Sequence, residues 1–333
     1  MSKWRQARVM LTAFSMIIVI WSAGCSRPAA STPPEPTVEV KSEQSAVGAS
    51  PAPSFDAERA WKDLQAQVDF GYRVPGTKTH SATRDWLVKQ LTPPAKSVTL
   101  QPFTHTLGGR DITMWNIIAD IPGAGPAPRE QVVLAAHWDT RPTADHDPDP
   151  AKRKQPIAGA DDGASGVAIL LEIARQLKAH PIKRDVQIVL FDGEDYGPGI
   201  EDMLLGSQYY ADHLPKTKPS WGILLDMVGD ADLDIYREPN SERTAKTVND
   251  RVFIAAKALG YLWTKEQPGF MDELYQYPII DDHIALNKAG VPMADLIDFD
   301  YPYWHTTGDT PEHCSAESLK IVGRTVLLAI RSK

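Results

Sequence analysis

Apolar residues along this chain recur with two periods, and the switch between them marks out the elements. Ala60, Leu64 and Val68 return every four residues, which predicts a helix over 57–70. A turn at Arg73-Val74-Pro75-Gly76 separates it from a second helix over 79–91. Residues 115–119 have the composition of a short strand, and 132–136 form an unbroken apolar run that stops at His137. An amphipathic helix is predicted over 163–177. A buried strand follows over 185–191 and runs into Asp192-Gly193-Glu194-Asp195. Further on come a helix over 206–213 and an apolar strand over 221–225 that ends at Asp226. Helices over 245–259 and 282–289, a strand over 293–297 and a last helix over 315–330 complete the pattern.

Apolar strands alternating with amphipathic helices predict βαβ units. The expected fold is α/β: a three-layer α/β/α arrangement on a central mixed, mostly parallel twisted sheet. Ligands of such sheets bind outside the carboxyl ends of the strands. His137, Asp195 and Asp226 are each expected to close a different strand there, which is the first sign of a site.

The first fifty residues read differently. Lys3, Arg5 and Arg8 precede an apolar run over 9–20 that is short for a membrane span and ends in Trp21-Ser22-Ala23-Gly24-Cys25. Small residues directly before a cysteine resemble a bacterial lipobox. This gives a lipoprotein signal peptide over 1–24 and a lipidated Cys25. A Pro-, Ser- and Ala-rich tether then runs over 25–54, and one catalytic domain over 55–333. The expected location is the cell envelope of a bacterium, facing the periplasm or exterior, with the membrane touched only through lipid. Cys314 is then left without a partner, so the domain relies on its core rather than on a disulfide. A formal net charge of −8 with no basic stretch to offset it argues against nucleic acid. A monomer is expected.

Five residues could ligate a metal: His137, Asp162, Asp195, Asp226 and His305. No HExxH and no short finger-type spacing is present. Mixed imidazole and carboxylate donors suit a catalytic zinc that keeps an open position. Each has a plain alternative, such as Asp161 and Asp162 capping the helix that follows. It is their joint recurrence at strand ends that points to a site.

The motifs that carry these residues resemble the zinc enzymes of the M28 clan: Ala136-His137-Trp138-Asp139-Thr140, Gly159-Ala160-Asp161-Asp162-Gly163, Gly193-Glu194-Asp195, Leu225-Asp226 and His305-Thr306-Thr307-Gly308-Asp309-Thr310. Phe191-Asp192-Gly193-Glu194, Asp281-Asp282-His283-Ile284 and Trp304-His305 are most similar to the glutaminyl cyclases of that clan. The resemblance implies a glutaminyl-peptide cyclotransferase acting on peptide or protein N-termini. Asp162, Asp195 and His305 would hold zinc and Glu194 would be the general acid/base. Asp226 and Asp281 would form a hydrogen-bonded acidic relay, and Trp304 would wall the pocket. His137 would stand behind the ligands in a cyclase with one Zn2+, or hold the second Zn2+ of an M28 aminopeptidase. Three departures bear on this. Asp195 replaces the usual glutamate ligand and is one methylene shorter, so either the strand end moves closer or Glu194 ligates in its place. Asp295 stands where animal cyclases carry histidine, and the Thr307-Gly308-Asp309-Thr310 tail leans towards the peptidases. An envelope binding lipoprotein without catalysis is the remaining alternative.

Overall fold

A computed structural model describes residues 54–107 and 109–332. The leader, Cys25 and the tether up to residue 53 lie outside the described residues. In chain order the elements are α1 (Ala57–Asp69), α2 (Lys78–Leu91), β1 (Ser97–Leu107), β2 (Arg110–Ile121), β3 (Gln131–His137), α3 (Ala164–Ala179), β4 (Asp185–Phe191) and α4 (Leu205–Asp212). They continue with β5 (Trp221–Asp226), β6 (Asp234–Arg237), α5 (Pro239–Thr244), α6 (Lys246–Leu259), β7 (Gly269–Leu274), α7 (His283–Lys288), β8 (Met293–Ile297) and α8 (Ala316–Arg331). No described helix is long and apolar enough to cross a membrane.

Six strands form one sheet in the order β1-β2-β4-β3-β5-β8. Four neighbouring strands, β4, β3, β5 and β8, run parallel, and the β1–β2 hairpin adds an antiparallel edge at the β4 side. The short β6 and β7 pair separately. Side chains alternate between the faces of a strand, and the core divides accordingly. Leu134, Ala136, Ile188, Leu190, Ile223 and Leu225 pack with α1, α3, α6 and α8 on one face. Val133, Ala135, Val189, Phe191, Leu224 and Met293 pack with Tyr210 of α4 and Leu286 of α7 on the other. Strands buried on both faces explain the unbroken apolar runs.

β1 has no signature in the sequence because its side chains are largely exposed and polar, with Phe103 its buried residue. Pairing with β2 along its whole length makes it a strand. The reading of 115–119 as a short strand is corrected by that same ladder, which extends it to the full β2. Asp195 also lies beyond the end of β4 rather than closing it, four residues past Phe191.

Candidate metal centre

The site is built on the turns that leave β3, β4 and β5 and on two loops that fold over them. His137 is the last residue of β3, and Asp226 the last of β5. Asp162 lies just before α3, whose N-terminal capping position is Gly163 with no side-chain cap. Neither Asp161 nor Asp162 therefore caps that helix. A Cβ at Gly163, whose φ is +100°, would come within 3.0 Å of both the Asp139 carbonyl oxygen and the His137 ring. Only glycine permits both the angle and the approach.

Carboxylates that are not ligand candidates hold these loops. Asp139 accepts from the backbone N–H of Glu194 and Asp195 at 3.2 and 3.3 Å. Asp309 accepts from the N–H of Asp161 and Asp162 at 2.8 and 3.2 Å, and from the Tyr301 hydroxyl at 3.0 Å. Asp192 accepts from Trp115 N–H at 2.7 Å and meets Nε2 of the buried His80 at 2.9 Å. Arg73, fully buried, donates to the carbonyls of Trp138, Ala158 and Gly159 at 2.9, 2.8 and 2.7 Å. It ties the turn after β3 to the loop before α3. Burial pulls its pKa down to about 10, opposed by the charges of Asp309, Asp139 and Asp162. Arg141 donates to Asp195 Oδ1 at 2.7 Å and to both oxygens of Asp145 at 2.7 and 2.9 Å. No role was expected for Arg73 or Arg141 from the sequence, since a lone arginine in a loop carries no periodic signal. Asp139 and Asp309 were visible only as members of motifs.

Two groups of donors converge and share Asp162: Asp162 with Asp195 and His305, and Asp162 with His137 and Asp226. Glu194 belongs to neither, so the geometry favours Asp195 over Glu194 as a ligand. The groups differ in spacing. His305 Nε2 lies 3.2 Å from Asp195 Oδ1 and 3.7 Å from Asp162 Oδ2. These values bracket the roughly 3.3 Å between ligand atoms that tetrahedral zinc bonds of about 2.0 Å imply. His137 Nε2 sits 3.0 Å from Asp162 Oδ1 and 3.1 Å from Asp226 Oδ1, within hydrogen-bond range as the His305–Asp195 contact also is. Asp162 Oδ2 and Asp195 Oδ2 are also buried without a hydrogen-bond partner. Orphaned buried carboxylate oxygens are costly unless a cation satisfies them, so this donor set fits a divalent metal.

A pocket of about 290 Å³ opens beside these groups. Glu194, Asp226 and Asp281 line it together with Met227, Ile297, Phe299 and Trp304. Asp226 and Asp281, expected as an acidic relay, line the same pocket. Among the described residues Asp281 Oδ1 accepts from Asp282 N–H and Asp281 Oδ2 has no partner. Burial pushes the Glu194 carboxyl well above the usual range, and the charges of Asp195, Asp281 and Asp282 add to this against His137. Asp281 is raised in the same way, by burial and then by Asp226 and Asp282. Trp304 stacks on His305 at 4.0 Å and meets Phe299 at 4.9 Å. Asp295 is buried beside His283, whose Nδ1 lies 3.4 Å from its Oδ2, and it converges with Asp281.

The family model described as Peptidase family M28 matches residues 116–330. Aminopeptidase YwaD of Bacillus subtilis (strain 168) is 29% identical over 213 residues, covering 60% of this chain and 40% of that protein. The glutaminyl-peptide cyclotransferase of Boiga irregularis is 26% identical over 250 residues, covering 64% of this chain and 63% of its own length. The chain thus spans less than two thirds of either curated relative. The crystal structure of Bacteroides thetaiotaomicron glutaminyl cyclase bound to N-acetylhistamine superposes with a TM-score of 0.78. It is 38% identical and covers 85% of this chain and 99% of that one.

Proposed function

The chain belongs to peptidase family M28, a family of zinc enzymes, and from that premise we propose that it is a glutaminyl-peptide cyclotransferase. It would close an N-terminal glutamine to pyroglutamate and release ammonia. One observation carries this choice within the family. Glu194, Asp226 and Asp281 line one pocket under an apolar wall of Met227, Ile297, Phe299 and Trp304. Such a pocket handles protons while keeping water away, which suits ring closure better than hydrolysis. The likeness to the Bacteroides thetaiotaomicron cyclase over nearly its whole length supports the same reading.

Asp162, Asp195 and His305 would hold one zinc ion, which when bound supplies Lewis-acid polarisation of a carbonyl oxygen. The remaining chemistry falls to the chain's own residues. A bond forms between the substrate α-nitrogen and the glutamine δ-carbon. The bond from that carbon to the amide nitrogen breaks, and this nitrogen leaves as ammonia. Glu194 accepts the proton that the α-amine sheds and returns it to the departing nitrogen. Burial and acidic neighbours raise its pKa towards the range a shuttle needs, while a bound dication pulls the other way. Asp281 adds to the burial that favours the protonated form of Glu194, and Asp226 lines the same pocket. The attack is intramolecular, so a wall of Trp304 and Phe299 that selects one side-chain rotamer supplies much of the rate. The same wall suppresses hydrolysis to glutamate.

A second reading is favoured by the His137, Asp162 and Asp226 group. If that group held another zinc, the enzyme would be an aminopeptidase. Incubating the purified protein with a glutamine-initiated and a leucine-initiated dipeptide amide, followed by mass spectrometry, separates the two. Loss of ammonia from the first alone supports the cyclase, and release of free leucine replaces it with the aminopeptidase. The catalytic domain would be held at the cell envelope through lipid on Cys25. The support for this is the basic, apolar and small-residue order over residues 3–25.

A further inference from the structure

A second hollow of about 520 Å³ adjoins the catalytic pocket and is lined by Ile200, Leu204, Ile280, Ile284 and Ala285. Ile280 lines both hollows. We propose that this groove receives the side chains of the second and third residues of a peptide whose N-terminal residue occupies the catalytic pocket. The substrates are then peptides with large apolar residues directly after the N-terminus. The inference rests on the catalytic pocket being the N-terminal residue's site, whichever bond is made there.

Continuity with the catalytic residues is the main argument. Leu204 donates its N–H to the Glu194 carbonyl at 2.8 Å, and Leu205 to that of Gly193 at 3.1 Å. One wall of the groove is thus bonded to the turn that carries Glu194. The other wall begins at Ile280, the residue before Asp281. Met203 lines the catalytic pocket and its neighbour Leu204 lines the groove. Leu204 is held at φ +57°, a left-handed backbone that a branched side chain avoids unless its surroundings impose it. Exposure points the same way. Ile200 is 55% exposed, and Ile280 and Tyr277 are each 64% exposed, all at the rims of these two hollows. Large aliphatic side chains left in water beside a pocket mark a surface that another apolar group covers. An extended peptide advances about 3.3–3.6 Å per residue, and one that led from the catalytic pocket into the groove would pass Ile280, which lines both. Asp212 and Lys288, one of each sign, also line the groove, so charge does not direct the choice.

The test uses the full-chain protein and the amides Gln-Leu-Leu, Gln-Ala-Ala and Gln-Asp-Asp, each with a leucine-initiated counterpart. Both kcat/KM and the Kd from calorimetry are measured. The expected preference for Leu-Leu over Ala-Ala is about tenfold, the scale of one apolar side chain in a partly open pocket, and larger over Asp-Asp. Ile284→Asp and, separately, the more exposed Ile200→Asp should each reduce that ratio below about twofold. Equal values across the series in the parent protein, or a ratio unchanged in both folded variants, overturn the groove. Ammonia loss without selectivity refutes the groove and leaves the cyclase reading standing. Release of the first residue refutes the cyclase reading while the same ratios still judge the groove. If neither bond changes, the Kd ratio decides it.

Discussion

Replacing Glu194 by glutamine separates proton transfer from metal binding. The swap preserves length and volume, so the buried pocket keeps its shape, but an amide cannot take a proton from the substrate amine or return it. General acid–base catalysis by one positioned group contributes about 10²–10⁴ in rate. Here one carboxyl serves both the attack and the departure, which argues for a loss near the upper end, about 10³–10⁴ in kcat. Zinc content should stay within about a tenth of the parent's, because Glu194 joins neither converging donor group. The metal-free variant should be at least as stable as the parent. Burial and the charges of Asp195, Asp281 and Asp282 disfavour an ionised Glu194, and the neutral amide removes that penalty. Ammonia release by a coupled assay gives the rate, atomic absorption the zinc, and urea denaturation the stability. Zinc lost in proportion to activity would make Glu194 the ligand and Asp195 the proton carrier. Activity within tenfold of the parent would sink the acid–base role altogether.

Four further outcomes follow from the geometry. His137→Gln should leave one zinc per chain and most of the cyclisation, whereas a fall from two zinc ions to one would support the aminopeptidase. Trp304→Ala should lower kcat/KM by about 10–100-fold, because the pocket wall that holds one rotamer is lost. Its ring is only partly buried, so the stability loss should be modest, and a collapsed melting temperature would place it in the core instead. Arg73→Met strands three buried carbonyls and should cost about 3–5 kcal/mol, read as a melting point roughly 10 °C lower; a change below about 1 kcal/mol would refute its role as a tie. Asp234 is pushed up to about 6 by burial and by Asp300, Asp232 and Asp230. A carboxyl raised on folding contributes stability below its unfolded pKa of about 3.9 that is lost as pH rises through the folded value. Asp234→Asn should therefore be near neutral at pH 4 and stabilise at pH 8. Because the group is only partly buried, about 1–2 kcal/mol is expected, and equal effects at both pH values would contradict it.

The inner strands and the helices around them were legible because two buried faces demand unbroken apolar runs and one-sided helices demand a 3.6 period. The β1–β2 hairpin was not, because its stability comes from pairing rather than from a buried face of its own. The helix α5 escaped for another reason. It is only six residues long and is set by a cap, with Glu238 accepting from Asn240 and Ser241 N–H at 2.8 and 2.6 Å. Within the site, the grouping of Asp162, Asp195 and His305 was anticipated through the resemblance to the M28 enzymes, since none of the three ends a strand. The bond from Arg141 to Asp195 was not, since it depends on two loops that meet only in three dimensions.

The acidic residues show best where sequence reasoning stops. Asp139, Asp192 and Asp309 turn their oxygens towards backbone N–H groups and fix the loops. Glu194 and Asp226 line the pocket, as does Asp281, which accepts from Asp282 N–H with one oxygen and leaves the other without a partner. In the sequence the two sets are indistinguishable, adjacent in places and identical in type. What divides them is whether both oxygens find donors, as they do in Asp139, Asp192 and Asp309. A pocket carboxylate with an oxygen to spare keeps its proton chemistry. Backbone strain falls on the same boundary. The three described non-glycine residues with positive φ are Leu204, Met227 and His305 at +57°, +43° and +53°. Each follows or joins a turn that carries a pocket carboxylate or a ligand candidate. Strain of about 1–3 kcal/mol at each such position persists only where surrounding contacts over-determine it. Backbone bonds supply those contacts, from Leu204 N–H to the Glu194 carbonyl at 2.8 Å, from Asp298 N–H to the Met227 carbonyl at 3.2 Å and from His146 N–H to the His305 carbonyl at 3.2 Å. The amide-bonded carboxylates fix the turns beside them, so the inert acidic set helps to hold the reactive one in place.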